Sequence, residues 1–179
     1  MAKFQIQQVS STVNWTGKKV LGLHTGTINV ANGYIEMTED KITGGEVEID
    51  MTSIVITDME DKTARQEFFE HLLNDDFFSV HKFKTSILTI DRANKLQGNK
   101  YKIEGTLTIK DITHPINFFA TVEVFTDTLH SLGEIVVDRT LYNIRYGSGK
   151  FISNLGDKLI YDEFVLQFKV VAQKSISLL

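Results

Sequence analysis

The chain has 179 residues, of which 42% are hydrophobic and 23% charged, and its formal net charge is -4. This composition is typical of a folded globular protein and the length suits one domain, so we expect a single domain over residues 1–179. Cysteine is absent, which excludes disulfides and thiolate chemistry, and the acidic balance argues against nucleic acid as a partner.

The first predicted elements along the chain are β-strands. Fifty residues are Ile, Thr or Val and six are Ala, a bias towards the β-branched side chains that pack well on a pleated sheet. Alternation of apolar and polar residues predicts strands near residues 11–17, 24–37 and 47–51. Gly33 is predicted to mark a β-bulge that switches the inward face of the second of these strands.

One helix then interrupts the strands. Within residues 60–78, apolar side chains recur with the i, i+1, i+4, i+5 spacing of an amphipathic helix. Thr63, with Gln66 three residues later, is predicted to cap the start of this helix. A short turn after the helix is expected to bring Phe77 and Phe78 towards the interior.

The second half of the chain returns to strands. They are predicted near residues 83–91, 100–110, 116–125, 130–138 and 164–172. The clearest of them has an apolar face that runs from Tyr101 to Ile109 in strict alternation. Residues 111–115 are predicted to form a turn, with Pro115 at the entry to the next strand. Residues 147–158, bounded by glycines, are predicted to lie outside the strands, with a short helical turn.

About eight long, consecutive strands with one apolar face predict a mainly β protein. We expect a single antiparallel β-barrel, because closure removes the sheet edges, and a β-sandwich is the alternative. The chain carries 12 Phe, 5 Tyr and 1 Trp, several of them on the predicted inner face or the helix. A barrel of this size is either filled by side chains or holds one ligand, and the residues alone leave that choice open.

No catalytic or metal-binding motif emerges from the sequence. None of the five histidines stands in a metal-binding spacing. The string GSGK at residues 147–150 fails as a phosphate-binding loop, because Phe151 stands where that loop needs Ser or Thr. We therefore expect no catalytic residue, no metal and no cofactor.

Several segments resemble the successive motifs of a known family. They are STVNWTGKKV, GGEVEIDMTSI, HLLNDDFFSVHKF, KIEGTLTIKDITHPI, DRTLYNIRYGSGKF and NLGDKLIYDEFVL. Together they resemble the YceI family, in the form common in Bacteroidetes-type bacteria, over about residues 10–172. The chain departs from the family pattern where it lacks the Tyr-Pro pair that often follows the FF motif, and from the sequence as given we do not expect the secretory leader that many members have.

The resemblance implies a lipocalin-like barrel that an amphipathic helix closes at one end. It also implies an apolar pocket for a long isoprenoid or another lipid chain, often in a homodimer. Members are thought of as carriers or stores of polyisoprenoids, quinone-like molecules or fatty acids and amides, and no catalytic set comes with the family. From the sequence as given we expect a cytoplasmic protein, or a periplasmic one if a signal peptide was removed, with no integral membrane segment.

Candidate site residues follow from the predicted inward faces, the helix and the family motifs. Lipid-tail contacts are predicted at Phe68, Leu72, Phe77, Phe78, Ile87, Leu107, Ile109, Phe118 and Phe168. Head-group contacts, placed by charge and by closeness to the motifs, are predicted at Arg65, His71, Arg139 and Arg145. A structural salt-bridge network is the alternative for the segment that holds Arg139 and Arg145. Trp15 is expected in the core rather than against a ligand.

Two other functions stay open at this point. An isomerase or hydratase would use the barrel as a dry pocket and would need one buried titratable group with a shifted pKa, for which His71 and Asp76 are the candidates. An interaction module would have a packed barrel, and no apolar ligand would stabilise it.

Overall fold

The structure is a computed structural model that describes residues 1–175. Within them it has nine β-strands and one α-helix, α1, over Lys62–Leu73. The strands are β1 (Ala2–Ile6), β2 (Thr12–Lys19), β3 (Gly22–Thr38), β4 (Lys41–Ile56), β5 (Thr85–Lys95), β6 (Lys100–Ile109), β7 (Ile112–Val124), β8 (Thr128–Asp138) and β9 (Ile160–Lys174). The long connection between β8 and β9 contains the 3₁₀ turns Arg139–Tyr142 and Gly156–Lys158, which confirms that residues 147–158 lie outside the strands.

The sheet closes into an eight-stranded antiparallel barrel, as the sequence predicts. From β2 to β9 each strand pairs with the next strand in the chain, and β9 returns to pair with β2. β1 continues the path of β2 beyond a 3₁₀ turn at Gln8–Ser10, because it too pairs with β3 and β9. The sequence pattern does not predict this five-residue strand.

The alternation of side chains explains which face of each strand is buried, and β3 shows how the alternation is reset. Val30 is buried, and the next buried positions of the strand are Gly33 and Ile35, so the inward face changes parity. The register of β3 against β4 shifts after Val30, which confirms the predicted bulge and places its extra residue at Ala31. Glycine at position 33 allows β3 to approach β4 closely, because an added Cβ would lie only 2.7 Å from the carbonyl oxygen of Glu46.

The hairpin between β6 and β7 differs from the predicted turn over residues 111–115. Lys110 and Asp111 form the turn, and both have positive φ angles, 53° and 59°, as a tight two-residue hairpin requires. Pro115 therefore lies inside β7 rather than before it. The strand tolerates proline there because β8 pairs with β7 only from Phe119 onwards, which leaves one edge of β7 open at Pro115.

The helix lies within its predicted range but begins with a different cap. The Asp61 carboxylate accepts a hydrogen bond from the backbone N–H of Ala64 at 2.7 Å, which makes Asp61 the N-cap. The prediction of Thr63 as the cap is wrong, since Thr63 lies inside the first turn. The segment after the helix turns inward as predicted: Phe77 is buried and Phe78 packs against the core.

The two ends of the barrel are built differently. Below the β3–β4, β5–β6 and β7–β8 turns, buried side chains fill the interior, and we call this the packed end. They are Phe4, Ile6, Met37, Ile42, Tyr101, Ala120, Leu129 and Ala172. At the opposite end, which we call the helix end, α1 and the β8–β9 connection lie over the ends of the strands.

Candidate functional site

The barrel encloses a cavity of about 520 Å³ at its helix end. Its walls come from the strands, from α1 and from the connection between β8 and β9. The apolar side chains that line it are Val13, Trp15, Ile28, Ile49, Met51, Ile54, Met59, Ala64, Phe68, Leu72, Phe77, Phe78, Leu107, Ile109, Ile144, Ile160, Phe164 and Leu166. The volume lies within the range of about 300–1,000 Å³ that is usual for small-molecule sites. The packed-barrel alternative is therefore wrong for this half of the barrel.

A second, smaller cavity of about 100 Å³ lies towards the packed end. Side chains such as Ile35, Ile42 and Ile90 line it. Four residues line both cavities and so form the boundary between them, and we call them the ring. They are Val13, Ile49, Leu107 and Leu166.

The helix α1 and the segment that follows it form a lid over the larger cavity. Phe68 of the lid packs on His24 of β3, with ring centroids 4.8 Å apart. About one turn further along α1, His71 packs edge-on against Tyr146 of the β8–β9 connection, with ring centroids 4.5 Å apart. The Nε2 atom of His71 also lies 3.1 Å from a carboxylate oxygen of Asp76. These contacts hold the lid against two different parts of the cavity mouth.

Eight of the nine residues predicted to contact a lipid tail line one of the two cavities. Those in the wall of the larger cavity are Phe68, Leu72, Phe77, Phe78, Leu107 and Ile109. Phe118 and Phe168 line the smaller cavity, where their rings pack edge-on at 5.8 Å. Their inward orientation follows from strand alternation and from the apolar stripe of the helix.

Ile87 is the exception, and its predicted inward orientation is wrong. It stands opposite Thr108 of β6 and Glu48 of β4, on the outer face of the sheet, and it lines neither cavity. The inward residues of β5 are its neighbours Leu88 and Ile90. Adjacent apolar residues on β5 left the parity of this strand ambiguous, although two of the three point to the correct face.

Two of the four residues predicted to contact a head group line the larger cavity, and two do not. His71 and Arg139 are in its wall. Arg65 instead donates a hydrogen bond to the backbone carbonyl oxygen of Met59, which precedes α1, at 3.1 Å. The guanidinium of Arg145 stacks over the ring of Phe151, 4.4 Å from its centroid. Arg65 and Arg145 are thus engaged by local contacts outside the cavity wall.

Arg139 is buried, and the backbone around it uses its donors. The guanidinium donates hydrogen bonds to the carbonyl oxygens of Ile144, Ile160 and Tyr161 at 3.0 to 3.1 Å. Burial lowers the pKa of Arg139 from its ordinary value, and the Asp162 carboxylate, 3.9 Å away, opposes this by raising the pKa. These contacts are those of a structural residue, which is the alternative that the sequence left open for this segment.

Sequence reasoning missed several residues of the cavity mouth. Trp15 lines the cavity as well as packing on the core, and its Nε1–H donates to the carbonyl oxygen of Thr27 at 3.3 Å. His24, Tyr146 and Tyr161 also line the cavity. The expected core position of Trp15 is thus confirmed, and what the sequence did not predict is that Trp15 also lines the cavity. No local pattern tells where a residue of a long connection such as Tyr146 will lie.

Polar side chains concentrate at the mouth of the cavity. Those of the mouth are Lys18, Lys19, His24, Glu67, His71, Tyr146, Tyr161 and Glu163. In the wall, the hydroxyl of Ser86 lies 3.1 Å from the sulfur of Met51.

Within residues 1–175, no group of three His, Asp or Glu side chains is placed to hold a metal ion. No helix in this part of the chain has the length and apolar character needed to cross a membrane.

An eight-stranded antiparallel barrel with a helix over one end and a ligand-sized apolar cavity inside defines a class of small β-barrel proteins with an internal site. Within that class, the chain belongs to the YceI-like domain family, whose family model matches residues 4–172. This match confirms the resemblance carried by the sequence motifs. A search of the curated proteins finds no match.

Solved structures share the fold at low sequence identity. The crystal structure of Burkholderia cenocepacia BcnA superposes with a TM-score of 0.74 at 20% identity, over 93% of this chain and 99% of that chain. A polyisoprenoid binding domain from Saccharophagus degradans, implicated in plant cell wall breakdown, gives 0.71 at 12% identity, over 96% and 98%. The Campylobacter jejuni YceI protein gives 0.62 at 20% identity, over 80% and 81%. At these identities the likeness shows a common fold.

Proposed function

We propose that the chain binds a long-chain apolar molecule inside the barrel and carries or stores it without chemical change. The ligand class is a polyisoprenoid, an isoprenoid quinone, or a fatty acid or amide. The observation that carries the proposal is the apolar cavity of about 520 Å³ under the lid. Membership of the YceI-like family and the likeness to the polyisoprenoid binding domain from Saccharophagus degradans support the ligand class.

The energetics of such a site favour a tail held by the walls and a head group held at the mouth. Each buried methylene contributes about 0.8 kcal/mol, so about fifteen of them contribute ~12 kcal/mol before costs. Association and ordering cost ~4–15 kcal/mol, so the tail alone gives a modest net affinity. Polar contacts at the mouth would then set specificity, and the presence of His71, Lys18 and Lys19 in the cavity lining supports this part of the proposal.

A carrier fits the geometry better than an enzyme does. The enzyme hypothesis requires a buried titratable group with a shifted pKa inside the cavity. Its candidates, His71 and Asp76, form a pair at the mouth, where 29% and 55% of their side chains are exposed. A pair this exposed is not the dry, enclosed site that the enzyme hypothesis needs.

The decisive experiment is native mass spectrometry of protein purified without added lipid. We expect adducts whose masses, after organic extraction, identify one class of long-chain apolar molecule. Adding a matching lipid to the stripped protein should raise its melting temperature, because a ligand that binds only the folded state stabilises it. Protein that has the mass of the bare chain in every preparation, and that no long-chain lipid stabilises, contradicts the proposal.

Leu107 offers the sharpest variant because it belongs to the ring. We expect Leu107→Arg to abolish lipid retention, since an unpaired guanidinium in an apolar wall is strongly unfavourable. The matched control is Thr106→Arg, one residue earlier on β6 and on the outer face, which should retain lipid. Leu107→Phe, which keeps the wall apolar and narrows the cavity, should reduce retention while the protein stays folded. Retention unchanged in both Leu107 variants contradicts binding in the interior.

A further inference from the structure

The turn beside the cavity mouth is the hairpin turn whose tip consists of two aliphatic residues. The tips of the other hairpins are Glu39-Asp40, Gln97–Asn99, Lys110-Asp111 and Thr126-Asp127, and at the packed end exposed Leu96 and Phe125 stand next to two of them. The β2–β3 turn instead has Val20 and Leu21 at its tip, with 45% and 70% of their surfaces exposed. Turn tips normally carry Gly, Pro, Asn, Asp or Ser, so an exposed aliphatic pair at this position calls for a partner surface.

The connection between β8 and β9 meets this turn at Leu159 and carries further exposed apolar side chains. The backbone N–H of Val20 donates to the carbonyl oxygen of Leu159 at 3.2 Å, which joins the turn to the connection. The exposed apolar side chains of residues 17–24 and 143–159 form what we call the docking rim. They are Val20, Leu21, Leu23, Tyr146, Phe151 and Ile152, each between 41% and 70% exposed. Tyr146 also lines the cavity, so the docking rim is continuous with the mouth.

Basic residues accompany the docking rim. Residues 17–24 and 143–159 contain one acid, Asp157, in a chain whose net charge is -4. Their basic residues are Lys18, Lys19, Arg145, Lys150 and Lys158. Of these five, Lys150 alone forms ion pairs with carboxylates of residues 1–175. The acids that line the mouth, Glu67 and Glu163, belong to α1 and β9, outside the two segments. The two segments therefore carry an excess of basic residues on a molecule whose net charge is negative.

Exposed aliphatic and aromatic side chains beside lysines are the combination that binds the interface of an anionic bilayer. The apolar side chains enter the boundary between head groups and acyl chains, and the lysines contact the anionic head groups. We infer that the docking rim binds the surface of an anionic lipid bilayer and turns the cavity mouth towards it. This inference goes beyond the proposed function, since a barrel that stores a lipid needs no such surface. A hydrocarbon chain that moves between bilayer and cavity then avoids open water.

Flotation of the full chain with lipid vesicles tests the inference. The vesicles are phosphatidylcholine alone, or phosphatidylcholine mixed with phosphatidylglycerol. We expect the protein to float with the mixed vesicles, less with phosphatidylcholine alone, and less again as salt is raised, because salt screens exposed charges. Absence of flotation with the mixed vesicles at low salt overturns the inference.

Two variants separate the docking rim from the rest of the surface. Leu21→Asp and Lys158→Glu change residues that do not line the cavity, and each should weaken vesicle binding about tenfold or more. The matched controls are Leu96→Asp and Lys41→Glu, the same changes on exposed residues at the packed end, where Leu96 is 51% exposed. The controls should bind within about twofold of the wild type. Equal losses at the two ends overturn the inference.

Two further measurements distinguish binding of the docking rim to a bilayer from binding of a lipid inside the cavity. Stripped Leu21→Asp that is given lipid in detergent solution should bind as much lipid per molecule as the stripped wild type, because the cavity is untouched. Sedimentation of the wild type and of Leu21→Asp then tests whether a second copy covers the rim, as the predicted homodimer would allow. A wild-type dimer that Leu21→Asp converts to monomers makes the docking rim an interface between copies and overturns the inference.

Discussion

At the scale of single residues, charged side chains with satisfied hydrogen bonds organise the chain after β8. The Asp138 carboxylate accepts from the backbone N–H and the hydroxyl of Thr140 at 2.9 and 2.6 Å, and from Lys150 at 3.1 Å. Lys150 also lies 3.6 Å from Asp162, which neighbours Arg139. Partial burial by itself would raise the pKa of Asp138, but the hydrogen bonds outweigh it and hold that pKa below its ordinary value.

We expect Asp138→Asn to lower the free energy of unfolding by about 1 kcal/mol at neutral pH, because the neutral amide accepts weaker hydrogen bonds than the carboxylate and loses the ion pair with Lys150. A carboxyl whose pKa is lower in the folded chain stabilises it above the unfolded pKa, ordinarily 3.8, and loses that contribution as pH falls through the folded pKa. Urea denaturation across pH should therefore show a constant difference near neutrality that disappears in acid. Asp157→Asn, at an exposed acid, should follow the wild type, and a difference that grows in acid contradicts the assignment.

At the scale of elements, the lid depends on how its helix starts. Asp61→Ala removes the N-cap of α1 and should cost about 1 kcal/mol, felt mainly as faster amide exchange in Lys62–Leu73. Thr63→Ala is the matched control, because Thr63 caps nothing and alanine is a good helix former. Hydrogen exchange read by mass spectrometry measures both, and equal acceleration in the two variants contradicts Asp61 as the cap.

Elements with a long, regular pattern could be predicted from the sequence, and the others could not. The barrel, the helix and the bulge of β3 follow from periods of two and 3.6 residues, which any burial against one core imposes. β1 could not be predicted, because its five residues are too few for a clear alternation and its pairing depends on strands that are distant in the sequence. The prediction that Pro115 lies in a turn was wrong because β7 tolerates proline only where β8 does not pair with it, and the residues around Pro115 do not show where that pairing begins.

The candidate site divides in the same way. Its walls were predictable because strand parity and the helix stripe decide which side chains face inward. Its mouth was not, because Tyr146 reaches it through the β8–β9 connection, whose path long-range contacts fix. Charge alone did not identify the residues of the cavity mouth, since Arg65 and Arg145 contact local partners outside the cavity wall.

At the scale of the whole molecule, stability should reside in the packed end. We expect Leu129→Ala, at a fully buried side chain, to cost about 3–5 kcal/mol. Leu107→Ala should cost about 1–2 kcal/mol in lipid-free protein, because its side chain already borders two cavities and loses fewer contacts. Urea denaturation of stripped protein measures both. A Leu107→Ala cost that equals that of Leu129→Ala contradicts the division of the barrel into two unlike ends.

The ring of Val13, Ile49, Leu107 and Leu166 divides the interior unequally, with about 520 Å³ on the lid side and about 100 Å³ beyond it. A flexible hydrocarbon that enters tail-first meets this constriction before the densely filled half of the barrel. On the proposed function, we expect the ring to limit how many carbons fit beneath the lid, so that a longer cargo either extends past the ring towards Phe118 and Phe168 or leaves its excess outside. Changing side-chain size at these four positions would then retune the preferred chain length while the outer surface stays the same.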